Sequence, residues 1–270
     1  MTIRIGTQGW NYPAWVGPFY PPGTRPADFL STYAKVFRIV EVDSTFYAVP
    51  DARAVRAWYE RTPPDFTFAL KMPKDVTHEL RLTNADDLVN EFLDRARELG
   101  SKLGPILMQM GPDFAPEELA AIEHFVPTLP RDLRFALEVR QSRWIRPDVL
   151  SRLLDVLARH EIALALSDGR WIRRETMLEL AQRPTADFLY VRWMGPDRDI
   201  TDYSRIQFDR SQEIFAWAEA LKHAANTKEI YGFFNNHFAG HSPASARQMQ
   251  LELGQEPIDP RTLSEQRSLF

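Results

Sequence analysis

A single (β/α)8 TIM-type barrel is the fold class that the 270-residue sequence predicts. Three observations carry it. Eight short β-rich runs start about every 25–42 residues, the room that a strand, a crossover helix and the return require. The runs are continuously apolar, as strands of a parallel sheet covered on both faces must be. The first turn, Gly6-Thr7-Gln8-Gly9-Trp10, lacks the third glycine of a dinucleotide-binding fingerprint, which counts against the alternative, an open doubly wound sheet.

The strands are expected at Ile3–Thr7, Ile39–Asp43, Phe66–Lys71, Pro105–Gln109, Arg134–Arg140, Ile162–Ser167, Asp187–Arg192 and Glu229–Phe234. Between them lie helical patterns. Phe29, Leu30, Tyr33 and Phe37 form one apolar face behind Pro26, and Val55, Trp58 and Tyr59 follow an Asp51 cap. Leu88, Phe92, Ala96 and Leu99 follow Asn84 and stop at Gly100, a C-terminal glycine. Leu119, Ile122, Phe125 and Val126 follow Pro116, and Val149 to Leu157 follow Pro147; both prolines suit a first helical turn. The sixth helix is expected near Glu175–Ala181, the seventh near Ser211–Ala225, and the eighth opens at Ser242-Pro243. No linker divides the chain, so residues 1–270 read as one domain, with a polar, proline-bearing arm at 254–270.

A hydrophobic content of 44% is enough for a large core. The formal charge of −4 counts against a protein built to coat nucleic acid. Without cysteine there is no disulfide, thiol nucleophile or zinc–thiolate site. The chain enters a strand at once and has no apolar run of membrane-spanning length, so a cytoplasmic protein with no signal peptide is expected.

In such barrels the site lies at the C-terminal ends of the strands. Here nearly every strand turns from apolar to polar at its end. Glu41 and Asp43 share one face of strand two by the two-residue rule, and carboxylates so placed require a facing cation. Thr45 and Tyr47 follow them. Trp10 closes strand one, Lys71 strand three and Gln109 strand four. Glu138 and Arg140 end strand five, Asp168 strand six, Arg192 strand seven, and Asn235-Asn236 strand eight. Glu41, Glu138, Lys71 and His78, in the loop after strand three, are the candidate catalytic groups. Arg140, Arg192, Gln109, Asn235, Asn236, Asp43, Thr45, Tyr47, Trp10 and Asp168 are the candidate binding residues. Lys71, Arg140 and Arg192 are three cations able to hold a phosphate or carboxylate, with Arg192 and Lys71 as principal contacts. His237 and His241 have the spacing of a helical metal pair but flank Gly240 in a loop, so no metal and no cofactor is assigned. Trp10, Tyr12, Trp15, Phe19, Tyr20, Phe46 and Tyr47 form an aromatic set that serves either as a stacking platform or as packing for two long loops.

Gly6-Thr7 with Gly9-Trp10, Trp15 with Gly17, and Phe19-Tyr20-Pro21 resemble the opening of the YecE-like family, domain of unknown function seventy-two. The likeness continues through Val40-Glu41-Val42, Ser44-Thr45-Phe46-Tyr47, Lys71, Thr77-His78, Gln109, Glu138, Arg140, Trp144, Tyr190, Arg192 and Phe234-Asn235-Asn236, over nearly the whole chain. The resemblance implies a TIM-type barrel of unestablished activity, with barrel-fold endonucleases acting at DNA lesions as an analogy of fold. Against that pattern Gln141 and Met194 stand where histidines are usual, Arg143 where a serine is, and Asp43 where an asparagine is. The missing histidines argue against a metal nuclease. Three functions compete: an enzyme hydrolysing or otherwise transforming a small anionic or sugar-like substrate by acid/base chemistry, a nucleic-acid binder or nuclease, and a non-catalytic binding protein.

Overall fold

A computed structural model describes residues 2–196, 199–226 and 228–265. Eight strands close into a ring in sequence order, every neighbouring pair parallel: β1 (Ile3–Gln8), β2 (Ile39–Val42), β3 (Thr67–Lys71), β4 (Leu103–Gln109), β5 (Phe135–Glu138), β6 (Ala163–Gly169), β7 (Phe188–Gly195) and β8 (Glu229–Phe234). Helices follow each strand: α1 (Phe29–Val36), α2 (Ala52–Glu60), α3 (Asp86–Arg97), α4 (Leu119–Phe125), α5 (Pro147–Arg159), α6 (Arg174–Leu180), α7 (Ser211–Ala224) and α8 (Ser242–Glu252), with a short α9 (Thr262–Glu265) beyond. No helix among the described residues is long and apolar enough to cross a membrane.

The strands separate two cores. Ile39, Ala69, Leu107, Ala136, Ala163, Ala165, Phe188, Tyr190, Tyr231 and Phe233 fill the barrel axis. The intervening strand residues pack outward on the helices, with Trp15, Trp144, Trp193 and Trp217 among the largest buried groups. Small alanines opposite large aromatics let the inner layers interdigitate in a ring of this size.

The local signals hold with informative exceptions. Asp51 caps α2 by accepting from the Arg53 amide, and Pro147 opens α5. Pro116 instead opens a 3-10 turn, Pro116–Glu118, that feeds α4. Asn84 does not cap α3. It takes a left-handed φ of 52°, and the helix begins after Ala85. Gly100, also left-handed, stands past the end of that helix. Two expected C-terminal strand ends lie outside the sheet: Asp43 opens a 3-10 turn, Asp43–Phe46, and Arg140 follows β5. The tail's Gln255 donates to the Ile3 carbonyl at 2.9 Å; residues 266–270 of the expected arm lie outside the described residues.

At the β1–β2 seam the ladder starts only at Thr7 and Val40. Below it the Tyr33 hydroxyl, carried by α1, donates to the Ile39 carbonyl at 2.9 Å and accepts from the Thr7 amide at 3.0 Å. Gly6 leaves the space: a Cβ there would stand 2.2 Å from the Ile39 oxygen. Removing the hydroxyl strands two buried backbone groups, each costing about 1–3 kcal/mol. Tyr33→Phe should therefore lower the free energy of urea unfolding by at least about 1 kcal/mol. A change within error of zero would mean the seam closes without it.

Candidate functional site

The period of two that fills the barrel also builds its mouth. One step above each inner apolar residue comes a polar one: Glu41 above Ile39, Lys71 above Ala69, Gln109 above Leu107, Glu138 above Ala136, Arg192 above Tyr190 and Asn235 above Phe233. Because the ring is closed, these six side chains from six strands converge.

Arg192 stands at the centre, fully buried. Its Nε and Nη2 donate to the two oxygens of Glu41 at 3.0 and 2.8 Å, and its Nη1 donates to Glu138 at 2.6 Å. The Tyr190 hydroxyl adds a third donor to Glu41 at 2.6 Å. Gln109 donates to both oxygens of Glu138 at 3.1 Å, and Arg140 Nε donates to it at 3.0 Å. The two glutamates thus differ. Burial pushes the Glu41 carboxyl above its ordinary range against the opposing pull of Arg192. Burial would do the same to Glu138, but Arg192 and Arg140 together outweigh it and hold the carboxyl at about 2.

Lys71 stands beside this cluster without joining it. Its Nζ lies 3.9 Å from Asp43 Oδ1, beyond hydrogen-bond distance, and 3.9 Å above the Phe46 ring. Burial and the neighbouring Arg192 lower its pKa to about 8. His78, half-buried, is lowered as well, by burial and then by Arg140 and Lys71; its Nδ1 lies 2.9 Å from Thr77 Oγ1. Both open on a cavity of about 550 Å³ at the mouth, with Tyr12, Phe46, Tyr47, Trp171 and Met194 as its apolar wall. Among the described residues no group of three or more His, Asp or Glu could hold a metal ion. His237 and His241 both turn to Tyr203, the first to its hydroxyl at 3.1 Å and the second to its carbonyl at 2.8 Å.

The model of the family described as "Protein of unknown function DUF72" matches residues 4–267. The chain belongs to the DUF72 family. It is 36% identical over 142 residues to the UPF0759 protein YecE of Escherichia coli (strain K12), covering 53% of this chain and 50% of that protein; the match thus spans about half the length of that relative. It is 25% identical over 281 residues to the UPF0759 protein YunF of Bacillus subtilis (strain 168), covering 97% of this chain and 99% of that one. A crystal structure of a DUF72 family protein from Thermotoga maritima MSB8 superposes with a TM-score of 0.74 at 25% identity, over 94% of this chain and 100% of the other.

In this DUF72 protein Asp43, Tyr47, Lys71, His78, Gln109, Glu138, Arg140, Arg192 and Asn235 line the cavity, and Glu41 lies directly beneath on Arg192. Four expected binding residues do not reach it. Thr45 is buried and ties Val42 to β3, donating to the Lys71 carbonyl and accepting from the Lys71 amide. Asn236 Oδ1 accepts from Trp15, from the Ser242 amide and from the Ser242 hydroxyl, anchoring the start of α8. Asp168 accepts from Arg174 and Trp217 and pins α6 and α7 to β6. Trp10 packs edge-on against Trp58 and Phe68. Arg192, expected as an anion's principal contact, has its fork committed to two carboxylates. The aromatic set splits: Trp15, Phe19 and Tyr20 are buried packing, while Tyr12, Phe46 and Tyr47 face the cavity. Gly169, Arg170 and Trp171 were missed, because β6 runs two residues beyond its expected end at Ser167, to Gly169, and carries the next loop over the mouth.

The Glu138 carboxyl has an ordinary value of 4.5 and sits at about 2 when folded. A depressed carboxyl contributes stability that is present above the unfolded value and lost as pH falls through the folded one; here that is on the order of 3 kcal/mol. Glu138→Gln should lie below the wild type by roughly that amount near neutral pH, with the gap closing between about pH 4.5 and 2. Urea unfolding of both proteins across that window checks it. A gap that stays constant down to the acid end would place the shift elsewhere.

Proposed function

We propose that this DUF72 protein is an enzyme that binds a small anionic, hydroxyl-bearing molecule in the barrel mouth and moves protons on it, with Lys71 as the acid/base group. The observation that carries the reading is the charge allocation of the cavity. Lys71, Arg140, Arg170 and Arg192 line it against Asp43 and Glu138, and adding Glu41 beneath still leaves one positive charge uncompensated whenever Lys71 is protonated. In a recess that excludes much of the water such a surplus favours an anion far more than an open surface does. The volume is that of small-molecule sites, and Gln8, Ser167 and Asn235 offer hydrogen bonds to hydroxyl groups.

Hydrolysis by a pair of carboxylates fits less well. A general acid must hold a proton near the working pH; Glu138 is kept ionised by three donors, and Glu41 is enclosed by Arg192 and Tyr190. The amine of Lys71, at about 8, exchanges protons close to neutrality, with His78 as the second proton carrier at the same wall. Arg170 is the cation with the fewest structural duties: it is exposed, at the rim, with its guanidinium 4.5 Å over the Trp171 ring.

Phosphate at millimolar concentration and fixed ionic strength should raise the melting temperature of the wild type by mass action on the folded state. Arg170→Met and Lys71→Met should each respond less. Equal responses in all three proteins would leave the mouth without an anion site and remove the main support for this reading.

A further inference from the structure

Among the described residues two lysines are buried, in different ways. Lys102 is a structural lysine: its Nζ donates to the Tyr59 carbonyl, to the Thr62 carbonyl at 2.7 Å and to Thr62 Oγ1 at 3.1 Å, so its charge is met by oxygens on several sides. Lys71 is almost as enclosed, with 9% of its side chain exposed, yet its nearest carboxylate oxygen is 3.9 Å away. The two glutamates nearest to it are held by Arg192, Gln109 and Arg140. Asp43 is the third carboxylate, and its Oδ1 is shared, standing 3.9 Å from both Lys71 Nζ and Arg192 Nη2. A fixed guanidinium therefore occupies the pocket's anions and leaves a desolvated amine at the cavity wall. That is an arrangement in which lysine serves as a nucleophile.

We propose that Lys71 condenses with the carbonyl carbon of an aldehyde or ketone that also bears a phosphate or carboxylate group. This rests on the reading of the mouth as an anion-binding catalytic site; it adds the substrate class and a covalent step in which Lys71 is the nucleophile and protons move through its own nitrogen, Asp43 and His78. The neutral amine attacks the carbonyl carbon; a C–N bond forms, and one nitrogen proton passes to the carbonyl oxygen, with Asp43 as the relay. The resulting carbinolamine then loses that hydroxyl with the second nitrogen hydrogen as one water, leaving a C=N bond. Nothing is oxidised or reduced. The carbinolamine is neutral, so the step does not add a second cation beside Arg192, whereas an amine that merely takes up a proton does. When the imine is protonated, the face of Phe46 lies where the amine cation already sits, 3.9 Å from the ring centre. The rim cations Arg140 and Arg170 are placed for the anionic end of the substrate.

Pyridoxal 5′-phosphate is a suitable probe because it joins an aldehyde to a phosphate, and pyridoxal is its uncharged control. Each is incubated with the full-length protein at about pH 7.5 and reduced with borohydride, and the adducts are mapped by mass spectrometry. Lys71 should be labelled roughly tenfold faster than the exposed Lys35, because its amine stands desolvated at the cavity wall, with no carboxylate within hydrogen-bond distance and its pKa lowered to about 8. With rates normalised to Lys35 in the same reaction, which removes the difference in free aldehyde between the two probes, pyridoxal should label Lys71 more slowly than the phosphate ester. In Lys71→Arg the fast phase should vanish, while circular dichroism and melting report whether that variant is folded; in wild type, excess phosphate should slow it. Labelling of Lys71 no faster than Lys35 overturns the nucleophile even if phosphate still raises the melting temperature. Fast labelling that is equal for both probes and indifferent to phosphate keeps the nucleophile and removes the anion site.

Discussion

The buried guanidinium of Arg192 is the interaction on which the rest of the mouth depends. Two glutamates enter the barrel from β2 and β5, and neither carboxylate is tolerable there without a cation. One arginine meets both because its planar fork offers donors on two edges: a bidentate pair for Glu41 and a further N–H for Glu138. A lysine ammonium, a point charge on a flexible stem, would not hold the same three bonds. With Glu138 so fixed, Gln109 and Arg140 are oriented in turn. The unusual state of Lys71 follows first from its burial and then from the same allocation: the cation that holds the two glutamates stands next to it.

The opposite end of the barrel is closed by more exposed ion pairs around a smaller recess of about 360 Å³. There Arg134 pairs with Glu229 and Asp187, Arg4 pairs with Glu229, and the Tyr231 hydroxyl accepts from Arg134. Two cations meet two carboxylates, all partly exposed, and the charges balance. The mouth uses the same chemistry, but most of its ion pairs are buried, its cations exceed its anions, and its cavity is larger, about 550 Å³ against about 360 Å³. The difference between the two ends, rather than the presence of ion pairs, is what marks the mouth as a site.

A polar residue at the end of a barrel strand can face the axis or hold the loop that leaves it. Thr45 and Asn236 hold loops and Asp168 holds helices: Thr45 donates to the Lys71 carbonyl and accepts from its amide, Asn236 accepts from the Ser242 amide, and Asp168 accepts from the Trp217 indole and from Arg174. Lys71, Gln109 and Glu138 face the axis. Side-chain type separates the groups poorly, since Asp168 and Asp43 are the same residue in the two roles. Strand parity does better: Glu41, Lys71, Gln109, Glu138, Arg192 and Asn235 all lie an even number of steps from an inner apolar residue of their own strand.

The sequence by itself determined the barrel and the level of its mouth. Eight apolar runs at crossover spacing leave little else to form, and a period of two turns the apolar-to-polar change in each strand into an inward-facing polar ring. Only the tertiary structure decided which charges meet. Glu41 and Arg192 are 151 residues apart and Glu138 and Arg192 are 54 apart, and the choice among several carboxylates and cations at one rim depends on ring closure, strand register and fork geometry. The reactivity of Lys71 belongs to the same class of fact. Its pKa is a property of the desolvation and the guanidinium around it, neither of which is local to Ala69-Leu70-Lys71.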